Sequence, residues 1–251
     1  MRTRTAATTA ALTISALLGI ACAIPEPGDP PAGPGPATVT TEADPDPSGS
    51  TSSMEGTYTY ETMDDFVEAV VTGLIEPWIR DTWPRMALPE VLFVPAGMRG
   101  REGCTDYDGA DASYTSESYE YCPPDMTVYL GQDTVWEFYR TTGDAGPAMG
   151  IAHEYGHHIQ NELGVPSPYT NAESIDYENQ ADCLAGAWTQ YVDKVLKLLE
   201  TPDDLEDVEL LMPIIASAEG EDRNHGTQQE REAAFFDGYE SGVTACGLRK
   251  G

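Results

Sequence analysis

The chain has 251 residues, with 43 Asp and Glu against 13 Lys and Arg, for a formal net charge of −30. That balance argues against a nucleic-acid partner and against retention on an anionic membrane by charge, because both reward basic patches. It fits a soluble protein, expected to be a monomer, whose field would attract basic peptides without selecting among them.

The N-terminus reads as a targeting segment. Arg2 and Arg4 form a positive start, and Ala10 to Ala21 is apolar but too short to be a comfortable membrane span. Two endings compete. Ala21-Cys22-Ala23 fits cleavage after Ala23, giving a signal peptide over 1–23. Alternatively, Cys22 follows Leu18-Gly19-Ile20-Ala21 and is a candidate lipid anchor, although Gly19 is a poor residue three positions before a lipidated cysteine. Either ending places the protein outside the cell or on the outer face of the membrane, and no later stretch is apolar enough to span one. Residues 24–56 are rich in Pro, Gly, Ser and Thr without a period, and are expected to be a disordered linker.

The remaining segment, 57–251, has room for one domain with its own core. Thr62 with Asp65 reads as a capping box ahead of a helix whose apolar stripe is Phe66, Val70, Leu74 and Trp78. Pro77 is expected to kink or end that helix. Val91 to Val94 and Thr127 to Leu130 read as strands, the second a candidate edge for a bound peptide. Val135 to Arg140 reads as a helix ending before Gly143. A further helix begins near Pro147 and runs to about Leu163, with Gly164 terminating it. Gly150 and Gly156 inside it predict close approach of a neighbouring helix. That neighbour is expected over Glu173 to Leu199, followed by Val208 to Ala218, interrupted at Pro213, and a last helix over Glu230 to Tyr239.

Four cysteines lie beyond Cys22, and four allow three pairings. The favoured pairs are Cys104–Cys122, closing the polar loop Thr105 to Tyr121, and Cys183–Cys246, tying the C-terminal tail to the second long helix. A nucleophilic Cys183 is the weaker reading, since its Ala/Gly-rich surroundings suit packing or pairing.

The most informative stretch is His153-Glu154-Tyr155-Gly156-His157. Residues at i and i+4 share a helix face, so two imidazoles there can converge on one tetrahedral Zn²⁺. Glu154 then stands beside the metal, placed to take a proton from activated water as a general base. Downstream, Glu178 and Asp182 form another i,i+4 pair. Glu178 reads as the third ligand, and Asp182 as the acceptor that orients His153 through its other ring nitrogen. Glu162, Glu173 and Asp176 compete for the ligand role, but Ala181 and Ala185 favour Glu178 by letting its helix approach closely. His158 points about 100° away from His157 and reads as a polar residue that supports the ligands from behind or lies in the core, rather than as a ligand. His225 is nominated to stabilise the oxyanion, with Tyr169 and Tyr239 as alternatives.

These residues also carry a resemblance. His153 to Gln160 (HEYGHHIQ), Gln180 to Trp188 (QADCLAGAW) and His225-Gly226-Thr227 followed by Arg231 resemble the bacterial putative neutral zinc metallopeptidase family. Tyr121-Cys122-Pro123, with Val128-Tyr129-Leu130 behind it, resembles the same family, and the likeness covers roughly residues 57–248. The family is similar to the gluzincin branch of zincins. That likeness implies a glutamate third ligand, one Zn²⁺ and hydrolysis of peptide bonds. It also implies an α+β, mostly helical, zincin-like fold with a small sheet ahead of the metal helix. Glu232 to Tyr239 is less basic and less aromatic than the family pattern, which bears on substrate preference. Two other classes stand beside this reading: a non-catalytic zinc-binding or cell-wall interaction module, and a zinc amidase acting on a non-peptide or cell-wall amide.

Overall fold

The structure, a computed structural model, describes residues 56–100, 104, 114–218, 220 and 223–249. The expected leader with Cys22, the expected linker up to residue 55, and residues 105–113 of the expected polar loop lie outside the described residues. Among the described residues, no helix is long and apolar enough to cross a membrane.

The apolar stripe Phe66, Val70, Leu74 and Trp78 is buried as its spacing predicts. It runs through helix α1 (Met63–Val70), a π-helical turn (Val71–Ile75) and helix α2 (Glu76–Thr82). Pro77 therefore opens α2 rather than ending a helix. The wide turn directly before it places the ring in the first turn of the next segment. The expected Thr62–Asp65 capping box is also corrected. Thr62 Oγ1 accepts from Thr59 N–H at 2.9 Å, closing a box one turn earlier, over the 3₁₀ turn Tyr60–Thr62.

Strand β1 (Glu90–Val94) lies parallel to β3 (Thr127–Gly131), and β2 (Tyr119–Cys122) lies antiparallel on its other side, in the order β1-β3-β2. β3 is central and buried at every position, so the expectation that Thr127 to Leu130 is an edge is overturned. Both of its faces are covered, which is why it reads as a continuous apolar run. Val128 and Leu130 join the main core, while Tyr129 packs with Val94, Tyr114 and Cys122 on the opposite face. The edges are β1 and β2, and β2 is a strand the sequence does not announce. The Cys104–Cys122 disulfide anchors its end.

Helix α3 (Gln132–Thr142) stops at Gly143, whose φ of +92° only glycine adopts readily. Helix α4 (Ala145–Glu162) is buried along most of its length. Helix α5 (Asn171–Tyr191) starts two residues before the expected Glu173, because Glu173 serves as the third residue of a capping box on Thr170. It ends earlier than Leu199, passing into a π-helical turn (Val192–Leu196) closed by Lys197 in the left-handed region. Helix α6 (Asp203–Ile215) keeps Pro213 in its last turn without interruption, and α7 (Gln228–Ser241) is capped by Thr227 and Glu230.

Small residues set the spacing of the helices that carry the site. A Cβ at Gly186 would lie 1.9 Å from the carbonyl oxygen of Phe235, and one at Gly238 would lie 1.9 Å from that of Cys183. The α5 and α7 backbones are thus in direct contact, and the Cys183–Cys246 disulfide ties the segment after α7 to the same stretch of α5. Gly156 admits Ala181 of α5, as its position predicts. Gly150 does not face α5: it makes room for the Tyr119 hydroxyl of β2, 2.9 Å from where its Cβ would be.

Candidate metal centre

Helix α4 presents His153 and His157 on one face, with ring centroids 4.7 Å apart. Helix α5 brings Glu178 opposite them. Glu178 Oε2 lies 3.2 Å from His153 Nε2, and Oε1 lies 3.5 Å from His157 Nε2. One ligand atom from each residue fits within a mutual spacing of 4.8 Å. Tetrahedral Zn²⁺ with bonds of roughly 2.0–2.1 Å separates its donors by about 3.3–3.4 Å, so the two nearest pairs already stand at ligand spacing. Two neutral nitrogens and one carboxylate, with a side left open, are the donor set of a catalytic rather than a structural zinc site. The residues present fit the ion.

The other nitrogen of each imidazole is taken. His153 Nδ1–H donates to Asp182 Oδ1 at 2.8 Å, and His157 Nδ1–H donates to Gln160 Oε1 at 2.8 Å. Both rings therefore offer Nε2 to a metal. Asp182 is also held from behind: Arg231 Nε donates to its Oδ2 at 2.9 Å and Arg231 Nη2 to its Oδ1 at 2.8 Å. Gln160 Nε2 donates to the Tyr177 carbonyl and to Gln180 Oε1, and Gln180 Nε2 donates to the Cys246 carbonyl. The Tyr177 ring stacks on His157.

Electrostatics follow from these contacts. Burial works against the His153 imidazolium, but the charge and hydrogen bond of Asp182, with help from Glu178 and against Arg231, push its pKa up to about 10. His157 is raised as well, burial being outweighed by Glu178. Burial alone would raise Glu178, yet His157 and His153 hold it well below the usual carboxylate range.

Glu154 faces the sheet. Its Oε2 accepts from Tyr121 N–H of β2 at 2.8 Å, and burial raises its pKa above the ordinary value despite both histidines. A cleft of about 980 Å³ runs past His153, Glu154, His157, Glu178 and His225, with β2 along one side. His225 brings Nε2 to 3.6 Å from Glu178 Oε2, and its Nδ1 lies 2.9 Å from Asn224 Oδ1. Burial lowers its pKa.

The alternatives fall elsewhere. His158 is fully buried, accepting from the Tyr121 hydroxyl and donating to the Ala87 carbonyl, a core role as its helix angle predicts. Tyr169 is 92% exposed, and Tyr239 donates to Asp193. Glu173 caps α5, and Cys183 is in a disulfide. Three participants escape a reading of the sequence by ligand type: Gln160, the Tyr121 backbone N–H, and Arg231 in its pairing with Asp182. The signal for Gln160 is its i+3 spacing from His157.

An uncharacterized protein of Mycobacterium tuberculosis, Rv2575, is 32% identical to this chain over 49% of the chain and 51% of its own length. The uncharacterized protein YpfJ of Escherichia coli K12 is 34% identical over 50% of the chain and 51% of its own length. The chain thus spans about half the length of the curated relatives it matches. No solved structure matches it. Residues 101–247 match the family described as "Putative neutral zinc metallopeptidase", so the mostly helical α+β chain that builds this centre belongs to that family.

Proposed function

We propose that the chain is an exported peptidase in which His153, His157 and Glu178 hold one Zn²⁺ and Glu154 is the general base. The observation that carries this reading is the convergence of three donor side chains beside a buried carboxylate on an open cleft. When bound, zinc supplies Lewis acidity toward a carbonyl oxygen and toward water. Glu154 accepts the proton and returns it to the leaving amine. The Tyr121 N–H, 2.8 Å from Oε2, fixes the carboxylate while it does so. His225 is the nominated donor to the oxyanion, on the strength of its place at the cleft beside Glu178; the role needs a proton on Nε2, so either a charged ring or the Nδ1 proton given up from Asn224.

β2 replaces β3 as the strand that receives substrate. It is an edge strand, as β1 is, and of the two it is the one that lines the cleft. Backbone groups at alternate residues face the same edge, so Tyr119 presents its N–H and C=O there, while the Tyr121 N–H is held by Glu154. An extended peptide can add to that edge beside Glu154. Two disulfides support an oxidising compartment, in keeping with the leader at the N-terminus.

The test is zinc content and peptide hydrolysis measured on the same preparations. Glu154→Gln should keep near-stoichiometric zinc and lose activity by roughly 10²–10⁴-fold. Glu178→Ala should lose the metal. A Glu154→Gln protein that hydrolyses peptides as fast as wild type would remove the proposed base. Cleavage of cell-wall amides but not peptides would turn the reading toward an amidase.

A further inference from the structure

We infer that Arg231 is a positioning residue for metal binding: its guanidinium, clamped on Asp182, fixes the His153 ring with Nε2 turned to the metal. The inference rests on the zinc site proposed above. It is carried by the distances behind that site rather than by any contact with substrate.

His153 can serve as a ligand through Nε2 only while Nδ1 is engaged, and Asp182 Oδ1 engages it at 2.8 Å. A carboxylate with a single hydrogen bond can swing about its own Cβ–Cγ axis, and the imidazole would then swing with it. Asp182 cannot. Two parallel N–H bonds from one planar guanidinium reach its two oxygens, the geometry that best fixes a carboxylate plane. The fork is itself immobile. Arg231 Nη1 donates to the Ile215 carbonyl at 2.9 Å, and the side chain is 3% exposed against 0% for Asp182. The orientation of His153 is thus set from α7, a helix that supplies no metal ligand. α7 reaches α5 closely enough for this because Gly186 and Gly238 let the two backbones touch.

A residue acting through Asp182 and one that merely stabilises the fold give different results in a double-mutant cycle. Zinc affinity is measured by chelator competition on wild type, Arg231→Gln, Asp182→Asn and the double variant, with urea unfolding of each metal-free protein alongside. The expected result is a zinc affinity about 10–100-fold weaker in each single variant. The double variant should be no weaker than Asp182→Asn alone, because the two residues form one device. Arg231→Lys, a milder change should Arg231→Gln fail to fold, keeps the charge but not the fork, and should fall between wild type and Arg231→Gln. Arg231→Gln or Arg231→Lys binding zinc as tightly as wild type would overturn the inference. So would losses that simply add in the double variant. Wild type that takes up no zinc would instead overturn the proposed metal site, and this inference with it.

Discussion

His153 and His157 stand one helical turn apart and meet the same carboxylate at 3.2 and 3.5 Å, yet the structures behind them differ in kind. His153 leans on a buried ion pair, Asp182 with Arg231. His157 leans on neutral amides, Gln160 and then Gln180, ending at the Cys246 carbonyl. Hydrogen bonds to charged partners are roughly twice as strong as neutral ones, but a buried ion pair that loses one member leaves the other stranded. The first support is stiff and brittle, the second softer and more forgiving. One metal site can therefore have ligands of very different tolerance to change.

Deleting each support in turn is the sharpest way to break that contrast. Asp182→Ala leaves the Arg231 guanidinium buried without its partner, and should lower the unfolding free energy by about 3–5 kcal/mol. Its loss of zinc affinity should sit near the upper end of about 10–100-fold. Gln160→Ala strands only neutral groups and should cost about 1–3 kcal/mol, with a zinc loss near the lower end. Urea unfolding of the metal-free proteins and chelator competition read both quantities. Equal losses in the two variants would show that charge is not what distinguishes them.

The same contrast can be approached through the backbone. Arg231 reaches Asp182 only because α7 touches α5, and Gly238→Ala would push a methyl to 1.9 Å from the Cys183 carbonyl oxygen. Backbone cannot yield there as a side chain can, so a cost of about 1–3 kcal/mol and weaker zinc binding are expected. Gly150→Ala, on α4, meets the Tyr119 hydroxyl at 2.9 Å, the far end of a side chain, and gains about 1 kcal/mol of helix propensity. It should leave stability and zinc affinity near wild type. Thermal melts with and without zinc test both. A Gly238→Ala protein as stable as wild type would mean that the helix seam does not govern the charged support.

Much of this site is legible in the amino-acid sequence, because its parts repeat at the helical period. His153 with His157, and Glu178 with Asp182, are i,i+4 pairs whose shared faces follow from 3.6 residues per turn. The cysteine pairs follow from what needs tying down. What resists reading is whatever depends on contacts distant in sequence. Arg231 meets Asp182 across 49 residues. β2 is four residues of mixed polarity, made a strand by its pairing with β3 and its disulfide. Pro77 reads as a helix breaker because nothing local announces the π turn that accommodates it. β3 reads as an edge, though it is central, because an apolar run does not say which strands flank it.

The opposite electrostatic case lies at the other end of α4, where Asp144, Asp204 and Asp207 bring carboxylate oxygens within 4.8 Å of one another. Asp207 and Asp204 accept from backbone N–H groups, of Ala145 and Glu200, rather than from a guanidinium. Burial, with Asp204, Asp203 and Glu206 adding to it and the Ala145 N–H opposing, raises the Asp207 pKa to about 6. A carboxyl raised in the folded state contributes stability that is fully present below its unfolded pKa and is lost as pH rises through about 6. At neutral pH the charged Asp207 is therefore a cost, on the order of 1 kcal/mol once solvent screening of this half-buried group is allowed for. Asp207→Asn keeps an acceptor for Ala145 and removes the charge. It should melt a few degrees above wild type at pH 7.5, and the gap should close as pH falls from 6 toward 4. Thermal melts of both proteins across pH 4–8 decide the matter: a gap that does not change with pH would mean that the cost of an acidic cluster, set against the benefit of the Asp182–Arg231 pair, is not electrostatic.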